Sequence, residues 1–439
     1  MSYLLIALVN LVYIPTIWYG LISDDATTMK VDPYPFRRRK IGSVILHTTV
    51  SCYIYYAFGQ TPQALIAAIL FSLHPMAVQG PVWVSADHYP LMALLFLAIL
   101  AFGPWASPLY FFSPSMGVGQ LIFTPLCFLF TQKWYLVFYL PVLAWLSYKW
   151  VKGNVVGKIH NTGTFTPVLS KDFSLHKFKW INLIIVVKTF GYYSLACLLP
   201  IKNGFYNSFL VTIGSSKKAT DYWYSLNRHF WGGIFSMVLM AVVWWFNKSN
   251  PIGMGIILFA TSLAPFLNFI TVQQHTTSRY AYCALIGFQV ALVGLLFKLP
   301  SVFYLPILGA LFIFYLDRLL KVLPHYAKDN LTMIELESRI FPDNPRVWYF
   351  KYEHMLHKNN PVMAWAEAIY GLRYLPEDCQ LWFGLACASF QLGDLNAAKK
   401  FLETSERFMI LHERTQMQGL VNEFRQRIQE KLAEKWGRG

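Results

Sequence analysis

Long apolar runs alternate with short polar breaks over the first 320 residues. A helix that spans a bilayer needs about 20 mostly apolar residues. The pattern predicts about eleven such helices, near 3–22, 42–58, 62–84, 89–110, 117–132, 134–150, 181–200, 231–247, 251–270, 280–298 and 301–319. Two long polar connections remain, at 151–180 and 201–230. The end of the first, Lys171 to Trp180, reads as an amphipathic helix lying on the membrane surface. The run from Tyr3 to Ile22 lacks a basic leader and a small-x-small cleavage site, so it is expected to be a retained helix.

From about residue 320 the texture becomes that of soluble helices, and an internal echo appears. The segment Phe341 to Trp348 (FPDNPRVW) returns as Leu375 to Trp382 (LPEDCQLW), 34 residues later. Pro342 and Pro376, Trp348 and Trp382, and Ala364 and Ala398 share that offset. Period 34 with an opening Trp, a small residue on the second helix and a closing Pro resembles tetratricopeptide repeats. The pattern predicts helix–turn–helix units near 345–376 and 379–410, with residues 325–341 as the last helix of a partial earlier unit. Leu420, Phe424, Ile428, Leu432 and Trp436 recur every four residues and predict a capping helix. Two repeats are too few for a free-standing solenoid. The expected domains are therefore 1–320, a membrane helical domain, and 321–439, a repeat-like helical domain. The fold class is mostly α.

Composition agrees with a polytopic membrane protein. Of 439 residues 56% are apolar and 13% charged, with mean hydropathy +0.40. Soluble domains carry about 25% charged residues. This excludes an ordinary soluble enzyme and a disordered chain. Charge is unevenly placed. Residues 1–316 hold 20 Lys and Arg against 6 carboxylates, Asp24, Asp25, Asp32, Asp87, Asp172 and Asp221, with no glutamate. A basic membrane half favours anionic headgroups or a phosphate-bearing lipid. Nucleic acid is not an expected partner, because no basic soluble module exists. The six cysteines show neither metal spacing nor a disulfide framework.

Three polar segments stand out. Asp24 and Asp25 follow the first helix; paired carboxylates there can act as a general base, hold a divalent cation, or merely cap the next segment. His74 to Asp87 (HPMAVQGPVWVSAD) breaks an apolar stretch with His, Pro, Gln and Asp, either as a kinked hairpin or as the wall of a protein-enclosed cavity. Gln273 to Tyr282 carries Arg279, the one charge between Lys248 and Lys298, which either snorkels at a helix end or serves a ligand. With the amino terminus in the cytoplasm, loop parity places all three segments and the tail on the extracytoplasmic side. Lys30 and the cluster Arg37 to Lys40 oppose this assignment under the positive-inside rule; the resemblance given next, which sets the acidic loop at the site, decides for it.

An acidic pair after the first helix, a His-Pro stretch ending in W-x-S-x-D, a late R-Y-x-Y and a repeat tail together resemble the GT-C membrane glycosyltransferases. The chain is most similar to the branch of O-mannosyltransferases that bear tetratricopeptide repeats. The resemblance implies sugar transfer from a polyprenyl-phosphate donor to an extracytoplasmic acceptor. It implies that Asp24 or Asp25 is the base or cation ligand. His74, Gln79, Asp87 and His88 would shape the sugar site. Arg279, Tyr280 and Tyr282 match the late motif, whose arginine would face the lipid phosphate. His47 falls where a histidine of the second helix is common. Protein acceptor or partner subunit would sit on the repeat tail. The chain departs from the family at Gln79, where Glu is usual, at Ala86, where Arg is usual, and at Ser278, where an acidic residue is usual. A neutral Gln is neither a base nor a strong cation ligand. These departures carry the alternative expectation, a scaffold or accessory subunit of the same fold. A transporter would share the helix count but not the paired inverted repeat.

Overall fold

The computed structural model describes residues 2–18, 33–83, 86–102, 182–202, 204, 226–267, 277–328, 330–342, 344–411 and 417–436. Regular structure among them is helical, with no strand. The expected helices near 117–132 and 134–150, the 151–180 connection, and Asp24 and Asp25 lie outside the described residues.

Helix α1 (Ser2–Tyr13) continues into a 3-10 turn, Ile14–Trp18. Helix α2 (Pro33–Ala57) begins earlier than the apolar run, because Pro33 sits at a first turn that has no use for its missing N–H. The basic run Arg37 to Lys40 is therefore helix rather than loop. Gly59 and Gln60, at φ +88° and +58°, turn the chain. Thr61 then caps α3 (Pro62–Ser72) by accepting from the Ala64 amide.

A break follows α3. Pro75 cannot continue the ladder, and its ring holds His74 extended. The chain restarts as a 3-10 turn (Pro75–Ala77) and the single turn α4 (Gln79–Val82), bent 64° from α3. Next come α5 (His88–Phe102) and α6 (Asn182–Leu198). Asn227 caps α7 (Arg228–Asn247) and Asn250 caps α8 (Pro251–Leu263). After these come α9 (Tyr282–Leu296) and α10 (Ser301–Lys328).

Three helical stretches among the described residues are long and apolar enough to cross a membrane: Arg228–Asn247, Ser278–Leu296 and Ser301–Tyr326. A fourth counts if the bent pair around His74 is one span. On α7 the exposed side carries Trp231, Phe235, Val238, Leu239, Val242, Trp245 and Phe246, a face that suits lipid and not water. Where helices meet, glycines let backbones touch. A Cβ on Gly287 would collide with the Gly255 carbonyl and the Phe259 amide; one on Gly233 would collide with the Val187 carbonyl. Close approach at small residues is how helices associate in lipid, where the hydrophobic effect gives no drive.

Helix α10 runs without a break through residue 320, where the sequence texture changes. Helix α11 (Asn330–Ile340) packs Met333 and Ile334 into the same core as Phe71, Phe259 and Tyr282. The membrane helices and the first tail helix thus share one core.

Beyond it lie two helix pairs. The first is α12 (Pro345–His357) with α13 (Pro361–Tyr374); the second is α14 (Cys379–Gln391) with α15 (Leu395–Leu411). Trp348 packs on Gly371, and Tyr352 on Gly384. Ala364 and Ala398 are fully buried at equivalent places. The last helix, α16 (Gln418–Trp436), packs Phe424, Ile428 and Leu432 of the expected stripe, while Leu420 faces outward and Val421 is buried in its place.

Candidate functional site

The break after α3, the end of α6 and the Thr277–Ala281 segment meet at one end of the bundle. Proline and helix termini leave backbone groups there without ladder partners, and side chains fill the deficit.

His74 serves the end of α6. Its Nε2 donates to the Cys197 carbonyl (3.1 Å) and its Nδ1 accepts from the Met76 amide (3.2 Å). Both ring nitrogens are therefore engaged by backbone, and the geometry assigns the Nε2–H tautomer. Tyr315 on α10 packs edge-on against the His74 ring at 4.4 Å and donates to the Leu198 carbonyl at 3.0 Å. Gln289 on α9 reaches the Cys197 carbonyl at 3.4 Å. Two helices and the break after α3 thus cap the last carbonyls of α6.

Gln79 lies on the other side of the Pro75–Val82 turn, buried. Its Nε2 donates to the Gly204 carbonyl (3.4 Å), and its Oε1 accepts from the Thr277 hydroxyl (3.3 Å). The Gly204 carbonyl also accepts from the Ser278 hydroxyl at 3.1 Å. Thr277 is held at its backbone by Tyr193 of α6.

Arg279 is 6% exposed. Its Nη1 donates to the Thr277 hydroxyl (3.0 Å), and the guanidinium lies beside the buried Tyr89 side chain. The same group lies 4.6 Å from the Trp83 ring centroid and 5.1 Å from that of Tyr280. A desolvated guanidinium beside aromatic faces gains cation–π energy of about 2 kcal/mol while its fork stays planar and oriented. Tyr280 stacks in turn on Phe266 (4.4 Å, 10°).

Tyr282 is fully buried. Its hydroxyl shares a 2.5 Å hydrogen bond with His47 Nδ1 on α2, and its ring fills the space a side chain on Gly80 would need. Asp87 is half-buried ahead of α5 and accepts from the Ser43 hydroxyl at 2.6 Å. His88 is exposed, its ring 4.1 Å from that of Tyr89.

Gln79, Arg279 and Tyr280 are thus brought into one polar, aromatic-walled cluster, with Tyr282 and Asp87 alongside. His74 is turned away into the cap, and His88 points outward. Among the described residues no group of three His, Cys, Asp or Glu side chains could hold a metal ion. Sequence reasoning did not single out Trp83, Tyr89, Tyr193, Thr277, Tyr326 or Glu337. One signal was available for the last: Glu335 and Glu337 are the first glutamates in the chain, and Glu337 is fully buried. No family model, curated protein or solved structure matches this chain.

Proposed function

We propose that the chain is a GT-C-like membrane glycosyltransferase, with about eleven membrane helices and a tetratricopeptide-like tail. It moves a sugar from a polyprenyl-phosphate donor to an extracytoplasmic acceptor, a protein hydroxyl. The observation that carries this reading is Arg279. A buried guanidinium, steered by Thr277, set beside Tyr89 and walled by Trp83 and Tyr280, is a preorganised receptor for a phosphate oxygen pair.

In the reaction, Asp24 or Asp25 takes the proton of the acceptor hydroxyl. The acceptor oxygen bonds to the anomeric carbon as the bond from that carbon to the phosphate oxygen breaks, with inversion. The lipid phosphate leaves carrying the electron pair, and Arg279 meets its charge. Asp24 and Asp25 are also where a divalent cation would be held. The tail binds the protein acceptor or a partner subunit, and the motif loops and tail face the extracytoplasmic side.

The test is sugar transfer from polyprenyl-phosphate donors in membranes. Asp25→Asn should abolish it, since losing a general base costs about 10²–10⁴-fold in rate. Absence of transfer by the wild-type chain with every donor would remove the enzyme reading.

A second reading, a scaffold subunit of the same fold, draws on His74. With both ring nitrogens taken by backbone, it has no hydrogen bond left for a sugar. Full in vivo complementation by Asp25→Asn would favour this reading.

A further inference from the structure

Arg279 and Glu337, both buried, are joined by a run of hydrogen bonds and close packing. Arg279 donates to the Thr277 hydroxyl at 3.0 Å, and that hydroxyl donates to Gln79 Oε1 at 3.3 Å. The Gln79 amide donates at 3.4 Å to the carbonyl of Gly204, a residue packed against the Glu337 carboxylate, and the Tyr326 hydroxyl donates to Glu337 Oε1 at 3.3 Å. The donors from Arg279 to Gln79 point the same way, from guanidinium to amide oxygen. Bonds aligned in this manner polarise one another, and low local dielectric strengthens each.

The run crosses the boundary that sequence texture draws. Arg279 precedes α9, whereas Glu337 lies on α11, in the expected tail domain. Glu337 is fully buried, and Gly204 lets it be so: a Cβ there would collide with the Glu337 carboxylate and the Phe341 ring. The Gly204 carbonyl in turn binds Gln79 and Ser278. The carboxylate therefore meets the Arg279 cluster at Gly204 and at Tyr326.

We propose that Glu337 is a positioning residue for Arg279, so that α11 belongs to the site and the carboxy-terminal region sets the arginine's orientation. Its effect on lipid phosphate rests on the proposed role of Arg279; the positioning itself does not. The carboxylate anchors Tyr326 and packs against Gly204, the Gly204 carbonyl fixes which way the Gln79 amide donates, and the amide oxygen then fixes the Thr277 hydroxyl.

The test uses the full chain in detergent, with Glu337→Gln, Tyr326→Phe and the double variant. The first readout is amide hydrogen exchange at 278–282, with the amides of α8 as a control for global folding. Each single variant should speed exchange at 278–282 about tenfold and leave α8 unchanged, with the double variant no faster than the faster single one, because members of one network do not add. The second readout is binding of a polyprenyl phosphate in micelles, which each single variant should weaken by about the same factor. Unchanged exchange at 278–282, or additive effects, would overturn the proposal. Should Glu337→Gln not fold, Tyr326→Phe breaks the same link without touching a charge and decides alone. If the wild type binds no polyprenyl phosphate while exchange responds as expected, the phosphate role of Arg279 falls and the positioning role of Glu337 stands.

Discussion

Tyr193 holds Thr277 from both sides of its backbone. The Tyr193 hydroxyl accepts from the Thr277 amide at 3.0 Å and donates to the Thr277 carbonyl at 3.1 Å. The two residues are 84 positions apart, so the clamp fixes the Arg279 segment to α6. Replacing Tyr193 by Phe keeps the ring and takes the hydroxyl from both groups; the Thr277 carbonyl keeps the Tyr280 amide at 3.2 Å, so the loss falls mainly on the Thr277 amide. A buried group that loses its partner costs about 1–3 kcal/mol. Tyr193→Phe is expected to lower the unfolding midpoint and to expose 277–281 to proteolysis before the rest of the chain. Cleavage there at the wild-type rate would refute the clamp.

Glycine contacts give a paired prediction. On Gly287 a methyl group would meet backbone atoms of Gly255 and Phe259, which cannot move aside without parting two helices. Gly287→Ala should destabilise by about 1–3 kcal/mol, the usual cost of overpacking. Gly232 on α7 has nothing within 4 Å of an added Cβ. There Ala should be neutral or stabilising by about 0.5–1 kcal/mol, since helix-interior glycine is conformationally costly. Equal effects of the two substitutions in a thermal unfolding series would contradict the packing described.

Much of this fold is legible in the sequence where a local rule decides. Pro75 after His74 announces the break, and Asn227 and Asn250 announce the starts of α7 and α8. The 34-residue echo announces Trp348 and Trp382, whose indole groups donate to the Pro342 and Pro376 carbonyls at 2.7 and 2.8 Å. The role of His74 is not legible, because spacing cannot say whether ring nitrogens are consumed by the end of a distant helix. Glu337 is hidden for a different reason: a glutamate in an amphipathic tail reads as solvated, and its burial depends on the small size of Gly204, 133 positions away. The acidic pair is plain in the sequence, and its geometry lies outside the described residues.

The two tryptophans should not be equivalent in energy despite their matched hydrogen bonds. Trp348 is 6% exposed, stacks on Tyr374 at 5.9 Å and lies under Lys351 at 5.0 Å. Trp382 is half-buried, against Phe401 and Phe408. Each loses one hydrogen bond of about 1 kcal/mol on change to Phe, and Trp348→Phe adds a packing loss. Trp348→Phe should therefore lower the unfolding temperature more than Trp382→Phe. The reverse order would mean that the first unit contributes less to the tail's stability than its burial implies.

Loop parity makes a sidedness prediction. Lys202 and Lys358 are exposed, and parity puts them on the side of the polar cluster; Gln60 and Leu299 are exposed at turns that parity puts on the opposite side. At those turns Lys298 donates to Asn247 at 2.5 Å, tying two even-numbered connections together. Single cysteines at 202 and 358 should react with an impermeant maleimide from the extracytoplasmic face, and those at 60 and 299 only after the cytoplasmic face is opened. Labelling of 202 and 358 from opposite faces would break the single-cavity arrangement.

Gln79 offers the sharpest contrast, because an amide and a carboxylate are nearly the same size but not the same in hydrogen bonding. The amide is used in both senses here: Nε2 donates to the Gly204 carbonyl, and Oε1 accepts from Thr277. A carboxylate offers acceptors alone. In Gln79→Glu the Gly204 carbonyl keeps the Ser278 hydroxyl, so that loss is partial. A second carboxylate is then buried next to Gly204, against which the Glu337 carboxylate already packs. Like charges at such range oppose ionisation of both groups. Gln79→Glu should therefore destabilise the chain by at least about 2 kcal/mol and weaken polyprenyl-phosphate binding more than Gln79→Met, which removes the bonds without adding charge. The measurement is a side-by-side comparison of unfolding and lipid binding for the two variants. If Gln79→Glu instead leaves stability intact and raises sugar transfer, position 79 is a catalytic acid site occupied by an amide, and the run of contacts from Arg279 to Glu337 has no part in holding the arginine.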